Sequence, residues 1–441
     1  MSRQVLLLVV GAIGCDRVFG LQQVKPMSDG GDAMMPDYAF VDVLLIGAPI
    51  KSVAAGSTHT CAISQLGGML RCWGSATNGE LGYGNLVAIG DDEPAGAEGD
   101  VPVGTSVDSV SAGESHTCAV TTSRSVRCWG NVGSGRLGYG FRVSTNVGDD
   151  EPASTPGDVE IGELVDAVAA GRAHTCALSG TGQVYCWGYG TLGALGYGGT
   201  WDVGDGETPF QQGAVATGFA VTKAIAAGAD HSCALSNTGL VRCWGAGQFG
   251  RLGYGNQLNI GDSEAPSSAG DVPLGTDVLK LAAGGEHTCA LTSAHAVMCW
   301  GHAASGALGY GNTNDIGDNE FPTGQVSLGG TAIDIAAGGA HTCAVITDGT
   351  LRCWGANTYG QLGIASTENI GDNELPSSIP PVDVGAQVTN VWAGRDHTCV
   401  KLATNQLRCW GAGVSGALGY GNTNNIGDDE VPRVAGDVLA F

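Results

Sequence analysis

The sequence predicts an all-β fold: a seven-bladed β-propeller with four-stranded blades and one disulfide inside each blade. Three observations lead there. The stretch Ala54–Gly74, AAGSTHTCAISQLGGMLRCWG, returns six more times in near-identical form, and the copies carry His59, His116, His174, His231, His287, His341 and His397. Successive His lie 54–58 residues apart, and a period just above 50 is that of a propeller or a related array. Gly supplies 75 of the 441 residues and only 14% are charged; with turn residues at regular intervals and no long helical period, that mix favours many short strands. Fourteen of the fifteen Cys fall into seven pairs, one per repeat.

The bulk numbers exclude several function classes. A chain of 441 residues is too long for one ordinary layered core but suits a repeat array. The net charge is −24, with 19 Lys and Arg scattered along the chain, so the basic patch of a nucleic-acid binder is missing and no nucleic-acid partner is expected. An acidic lipid surface is an equally poor partner for the body of the protein. A cationic partner or a divalent metal fits the charge.

Taken in order, the chain opens with Met1-Ser2-Arg3-Gln4, an apolar run Val5–Ile13, and then Gly14-Cys15-Asp16. One positive charge before a short apolar core describes a signal peptide over residues 1–15, too short to span a membrane as a helix. Ala12-Ile13-Gly14 before the unpaired Cys15 resembles a bacterial lipoprotein cleavage box, although Ala12 stands where Leu is commonest. Lipidation of Cys15 is therefore expected to anchor the chain, and this lipid is its one expected membrane contact. Residues 16–40, with Pro26, Pro36 and a Ser-Asp-Gly-Gly-Asp run, read as a flexible tether.

From residue 41 the repeats run approximately 41–99, 100–157, 158–213, 214–270, 271–324, 325–380 and 381–435. One unit reads as a short strand such as Val101-Pro102-Val103, then a second such as Asp108–Ala112 ending at Ala-Gly. A third strand carries His-x-Cys-Ala, a tight turn follows with Gly182, Gly239 or Gly349, and a fourth carries Cys-Trp-Gly. A long Gly-rich excursion such as Gly79–Asn85 leads into Gly-Asp-x-Glu and a Pro. Both Asp42–Gly47 and the C-terminal 436–441 copy the start of a unit. The two ends are expected side by side in the first blade, closing the ring.

The Cys of each pair are ten residues apart, eleven in the first repeat. Folding each segment about its turn places them opposite each other on adjacent antiparallel strands, within disulfide reach. The expected bridges are Cys61–Cys72, Cys118–Cys128, Cys176–Cys186, Cys233–Cys243, Cys289–Cys299, Cys343–Cys353 and Cys399–Cys409. Such pairing belongs to an oxidising compartment. A metal reading of His, Cys and Cys lacks the short Cys-x-x-Cys knuckle of zinc sites.

The pattern Ala-Gly-x-x-His-Thr-x-Ala-Leu…Trp-Gly…Gly-x-Leu-Gly-Tyr-Gly resembles the regulator of chromosome condensation repeat over about 41–441. The resemblance implies a seven-bladed propeller, and the Cys pair in every blade marks an exported bacterial form of the repeat. That family includes a guanine nucleotide exchange factor and a secreted protein inhibitor of β-lactamase. Nucleotide exchange implies a nuclear GTPase, out of reach of an exported chain. The inhibitor is the nearer precedent, and at fold level it implies only binding to a protein.

Seven equivalent His and seven equivalent Trp (Trp73 through Trp410) read as scaffold, a buried imidazole bonded to neighbouring backbone and an indole packed between blades. The Gly-rich excursions match loose phosphate-loop patterns but precede no helix. The acidic loops are the chemical candidate. Asp91/Glu93, Asp149/Glu151, Asp205/Glu207, Asp262/Glu264, Asp318/Glu320, Asp372/Glu374 and Asp428/Glu430 offer carboxylates near Asn residues such as Asn422, Asn424 and Asn425. Calcium is the one cofactor they suggest, because it takes six to eight such oxygens; solvated turns are the alternative.

Subtracting the shared pattern leaves Arg136, Phe141, Arg142, Tyr189, Trp201, Phe210, Gln211, Gln212, Phe249, Arg251, Phe321 and Tyr359 as expected partner contacts, since aromatics and Arg anchor interfaces. Only His295 and His302 lie outside the repeated His, and no nucleophile stands beside them in the sequence. The reading is a monomeric, non-enzymatic scaffold of the cell envelope or surface that binds an unidentified protein. A calcium-stiffened surface protein and an enzyme with a central site are the alternatives.

Overall fold

The computed structural model describes residues 49–441. The expected signal peptide, Cys15, the tether and Asp42–Gly47 lie outside the described residues. Each unit forms an antiparallel sheet of three strands, and seven such sheets follow in chain order. In the first blade these are β1 (Ile50–Ala55), β2 (His59–Ser64) and β3 (Leu70–Gly74). Every residue of β2 is buried, which the β-branched and small side chains of His-Thr-Cys-Ala-Ile-Ser permit on both faces of a central strand. The inner strand carries an irregularity in its register between Ile50 and Ser52, and the same shift recurs in each blade.

The sequence places the Val-x-Val segment one blade too late. The Val101 N–H donates to Leu70 O at 2.8 Å, so Val101–Val103 forms the rim of the first blade, after the excursion. Val159, Val215, Val272, Val326 and Val382 bond Val126, Val184, Val241, Val297 and Leu351 in the same way. Each blade is therefore one contiguous piece of chain, three strands plus a rim segment held by a single ladder bond. Of the two ends expected side by side in the first blade, Asp42–Gly47 lies outside the described residues, and the C-terminal segment belongs to the seventh blade. Val438 N–H donates to Leu407 O at 2.8 Å, inside the seventh blade. The C-terminal segment meets the first unit through Arg71, which donates to Ala440 O at 2.9 Å and lies over the Phe441 ring, and at Gly96, where a Cβ would stand 2.8 Å from Leu439 O.

The ring closes through side chains. His59 Nε2 lies 2.9 Å from Thr117 Oγ1 of the next blade. The same bond links His116 to Thr175, His174 to Ser232, His231 to Thr288, His287 to Thr342, His341 to Thr398 and, across the closure, His397 to Thr60 at 2.8 Å. Each hydroxyl in turn donates to a carbonyl in the preceding blade's excursion, as Thr117 does to Glu80 O at 2.9 Å. With its proton committed there, the hydroxyl must accept from the imidazole, which fixes the proton on Nε2. At six of the seven junctions the indole of the next blade shares the carbonyl, as Trp129 Nε1–H donates to Glu80 O at 2.9 Å; Trp300 Nε1 has no such partner among the described residues. The repeated His thus bonds a neighbouring hydroxyl rather than backbone.

All seven imidazoles are buried, and burial pushes each pKa far down, to about 3 for His59 and His341 and about 4 for His174, His287 and His397. Unfolded His takes a proton near pH 6.5, so the unfolded chain binds more protons than the fold between about pH 4 and 6.5. Their stabilisation is complete above pH 6.5 and is lost as pH falls toward 4. Denaturant midpoints are expected to fall steadily from pH 7.5 to pH 4.5; a flat profile contradicts the relay. Thr175→Val removes the acceptor for His116 and should cost about 1–3 kcal/mol in urea unfolding, with no change in blade count.

Candidate functional site

The turns between inner and middle strands meet around the axis and frame a central depression of about 510 Å³. Its wall is seven copies of Ala-Gly, from Ala55-Gly56 to Ala393-Gly394. A Cβ on Gly56 would stand 2.7 Å from Gly113 O and 2.5 Å from the His59 ring. Here Gly is required by the closeness of the next blade rather than by handedness of the backbone. Backbone bonds run from turn to turn around the mouth, such as Arg395 N–H to Gly56 O at 3.0 Å and Gly339 N–H to Arg395 O at 2.9 Å.

The two residues after each Gly break the symmetry. They place Glu114, Arg172, Glu286, Arg395 and Asp396 at the depression. Arg172 pairs with Asp230 at 2.5 Å. Arg395 reaches over the first blade to Glu114 at 3.5 Å and also touches Asp396 at 3.5 Å. Glu286 accepts from Arg251 at 3.2 Å and meets His302 Nδ1 at 2.9 Å. Phe249 stacks on the His302 ring with centroids 3.9 Å apart. Sequence reading missed this rim because each residue is ordinary by itself, although its offset from the repeated Gly was available as a signal.

Of the expected partner contacts, Arg251 is corrected. It is 1% exposed, its Nε–H donates to Gln248 O at 3.1 Å, and it serves to hold Glu286. Arg136 likewise folds back onto Gly133 O and Ser115 Oγ, both at 2.9 Å. Gln211 caps a one-turn helix, Pro209–Gln212, through Thr208 N–H. Tyr189 is half-buried at the start of the third excursion. Phe141, Trp201, Phe210, Phe321 and Tyr359 are exposed, but none lines the depression. Trp201 folds over Gly199, Phe210 over Gly162 and Phe321 over Gly255. Arg142 lies over the Tyr139 ring and donates to Pro156 O at 2.5 Å.

The Gly-Asp-x-Glu loops lie where one blade's excursion meets the next. Gly84 N–H donates to Gly148 O at 3.1 Å, and a Cβ on Gly79 would stand 2.6 Å from Asp149 N. Three of the seven gather a carboxylate triad with oxygens within 4.8 Å of one another: Asp91-Asp92-Glu93, Asp149-Asp150-Glu151 and Asp428-Asp429-Glu430. Partial burial, then the hydrogen bond and charge of Asp150, raise Glu151 to about 7. The neighbouring Asn side chains are already committed as turn acceptors: Asn425 Oδ1 accepts from Gly413 N–H at 3.2 Å and Asn422 Oδ1 from Asn424 N–H at 3.0 Å.

The other four loops differ from these three. Asp205 and Glu207, Asp262 and Glu264, Asp318 and Glu320, and Asp372 and Glu374 join no such cluster among the described residues. The physical reason is the residue between them. Gly206, Ser263, Asn319 and Asn373 stand where the triads have a middle Asp, so each loop lacks the third carboxylate. Around Asp262 the acids are also taken up internally. Ser263 Oγ–H is placed to donate to Glu264 Oε2 at 2.6 Å or Asp262 Oδ1 at 3.3 Å, and Asn259 Nδ2–H donates to Asp262 Oδ2 at 3.2 Å. The Asp205/Glu207, Asp262/Glu264, Asp318/Glu320 and Asp372/Glu374 pairs thus offer two carboxylates each where the triads offer three.

A closed ring of repeat-built blades with a shared inter-blade latch defines a β-propeller of the regulator-type repeat class. The RCC1-like domain model matches residues 27–315, and the regulator of chromosome condensation (RCC1) repeat matches 332–361 and 348–400. The chain belongs to this RCC1 repeat family. It is 30% identical over 395 residues to the ultraviolet-B receptor UVR8 of Arabidopsis thaliana, covering 88% of this chain and 83% of UVR8. It is 30% identical over 317 residues to the mitochondrial RCC1 domain-containing protein RUG3 of the same plant, covering 67% and 68% of the two chains. Among solved structures, yeast RCC1 (Prp20) bound to Kap60 superposes with a TM-score of 0.61 at 20% identity, over 78% of each chain; this likeness is one of fold.

Burial separates the candidates experimentally. Arg251→Ala should lower stability by about 1–2 kcal/mol, because it strips a buried stem and unpairs Glu286. Trp201→Ala should leave the melting temperature within about 1 °C, as expected of a half-exposed side chain on a loop. Thermal melts of the two variants check both.

Proposed function

We propose that this protein is a non-enzymatic scaffold that captures a protein partner on its channel-mouth face, in an oxidising compartment. The observation that carries this reading is the charged rim of Glu114, Arg172, Asp230, Glu286 and Arg395, set on turns whose backbone is otherwise repeated sevenfold. Repeat-built blades carry the rim on a common backbone frame, and unlike charges at fixed places favour one docking register over others. Family membership supports a binding role, and the yeast neighbour is a propeller crystallised with a protein partner. The seven disulfides are compatible with an extracellular setting. Export and envelope anchoring through Cys15 belong to the same proposal.

Crosslinking in intact cells followed by mass spectrometry names the partner. Arg172→Glu and Arg395→Glu should then each reduce capture at least about tenfold, as charge reversal at a rim does, with melting temperatures near the parent. Undiminished capture by both variants removes the mouth face from consideration.

A second reading has its own observation, the three carboxylate triads. They would take calcium, which prefers clustered hard oxygens. Binding there would draw the proton off Glu151, so it should strengthen as pH rises from 6 to 8. The expected result is a calcium-dependent rise in melting temperature, larger at pH 8 and abolished by the triple variant Asp92→Asn/Asp150→Asn/Asp429→Asn. An unchanged melt in millimolar calcium, compared with chelator, removes this reading.

A further inference from the structure

Six of the seven blades fasten their outer layer with a tyrosine. Tyr139 Oη lies 3.0 Å from both N and O of Cys128 and 3.3 Å from Gly157 O at the start of the rim segment. Tyr83, Tyr197, Tyr254, Tyr310 and Tyr420 stand likewise at Cys72, Cys186, Cys243, Cys299 and Cys409. The phenol thus ties the edge of the outer strand, beside the disulfide, to the rim.

In the sixth blade (Ala332–Ala337, His341–Ile346, Leu351–Gly355) the tyrosine position is Ile364. No hydroxyl replaces it at Cys353 among the described residues. The next residue is Ala365, held at φ +54° where the other blades have Gly, a left-handed conformation that strains any residue with a Cβ. The rim begins Pro380-Pro381 in place of the Gly-Asp found in the first blade. Arg352 turns its guanidinium onto its own blade, at Pro376 O and Ile379 O (2.7 and 2.6 Å). Arg408, its counterpart in the seventh blade, holds this sixth-blade rim at Val384 O, 2.5 Å away, and Arg433 pairs with Asp383 at 3.1 Å. An open groove of about 400 Å³ runs between the hairpin turn at Asp348–Leu351 and the rim at Val382–Gln387. The sixth blade therefore lacks the phenol tie and carries strain where that tie belongs.

We infer that the outer layer of the sixth blade is the opening unit of the ring, and that Cys343–Cys353 is the disulfide a dithiol reductant reaches first. Opening frees the rim segment and uncovers the outer strand. A reductant thiolate then attacks one sulfur, forming a mixed disulfide, and the departing Cys thiolate takes a proton from solvent. The second thiol of the reductant displaces the remaining Cys and leaves as a disulfide, so two electrons pass to the blade. The result is a redox-sensitive place in a scaffold whose other six bridges stay closed.

Native-state hydrogen exchange tests the opening. Val382 N–H bonds Leu351 O as Val101, Val159, Val215, Val272, Val326 and Val438 bond their own blades, so the seven amides compare directly. Val382 is expected to exchange at least about tenfold faster than the other six. Limiting dithiothreitol under native conditions, followed by alkylation and mass spectrometry, is expected to label Cys343 and Cys353 before any other Cys. The double variant Ile364→Tyr/Ala365→Gly, which restores the residues of the other blades, should abolish both differences. Uniform exchange with uniform labelling, earlier reduction of another blade, or a restored variant that still opens first would each overturn the inference.

Discussion

One carbonyl per blade holds the molecule together. It belongs to the excursion that follows Cys-Trp-Gly; it accepts the Thr or Ser hydroxyl of the next blade at all seven junctions and the Trp indole at six, Trp300 Nε1 having no partner among the described residues. The imidazole of its own blade donates to that hydroxyl, so a turn of loop, a polar side chain and a large apolar side chain are fixed at one point. The bonds lie where water does not reach. There, a net worth of about 1 kcal/mol per hydrogen bond understates the matter, because an unmade bond costs the full desolvation of the group left behind. The seventh blade meets the first through this same contact, His397 to Thr60 and Trp73 to Ala417 O. Among the described residues, closure thus runs through side chains.

The disulfides follow from the same geometry. In an antiparallel pair, opposed residues alternate between bonding each other and turning their backbone outward. Cys72 turns its N–H and C=O outward, to Tyr83 Oη at 3.3 Å, so it faces Cys61 as the closer, non-bonded kind of pair, with Cα atoms 4.0 Å apart. A bridge fits there without moving the strands. Each closes a loop of only about eleven residues, contributing roughly 2–3 kcal/mol in a chain-entropy account, and seven of them resist local opening. The relay fastens blade to blade while the bridge and the tyrosine fasten each blade within itself. Loss of either inside one blade is therefore a local event, whereas loss of the relay threatens the ring.

Much of this was legible in the residues. Seven copies of His-x-Cys with Cys-Trp-Gly determine blade number, hairpin register and bridge pairing, because opposed strands leave one arrangement for Cys at that spacing. The blade boundary was not legible. Val101-Pro102-Val103 reads equally well as a first strand or a last one, and only the bond to Leu70 decides between them. The partner of the repeated His was hidden for a similar reason, since Thr117 lies 58 residues from His59 and nothing local marks the pair. Subtracting the shared pattern found unusual side chains but could not tell an exposed one from a buried clamp, which is why Arg251 was misplaced. The acidic loops are uneven in a way their shared frame hides. Their shared Gly-Asp-x-Glu frame suggested seven equal sites, whereas the unshared middle residue decides which loops gather three carboxylates. The rim acids and arginines escaped because Glu114, Arg172 and Glu286 are unusual only as a set.

Repetition also determines where specificity can arise. Strand interiors are committed to the relay, the bridge and the core, and the Gly of each turn is committed to its neighbour's carbonyl. A different side chain at any of these places would break a contact that is needed seven times. The two residues after the Gly are freer: Ser57, Glu114, Arg172, Ala229 and Arg395 carry side chains at the first of them, whereas Gly285 and Gly339 leave no room, a Cβ there standing 2.5 Å from Gly339 O and 2.7 Å from Arg395 O. Where there is room they can differ from blade to blade, and they surround the central depression toward which all seven blades converge. A rigid circle of permitted differences is what recognition of an asymmetric partner requires: the ordering entropy is met on folding, and the rim meets its partner already arranged.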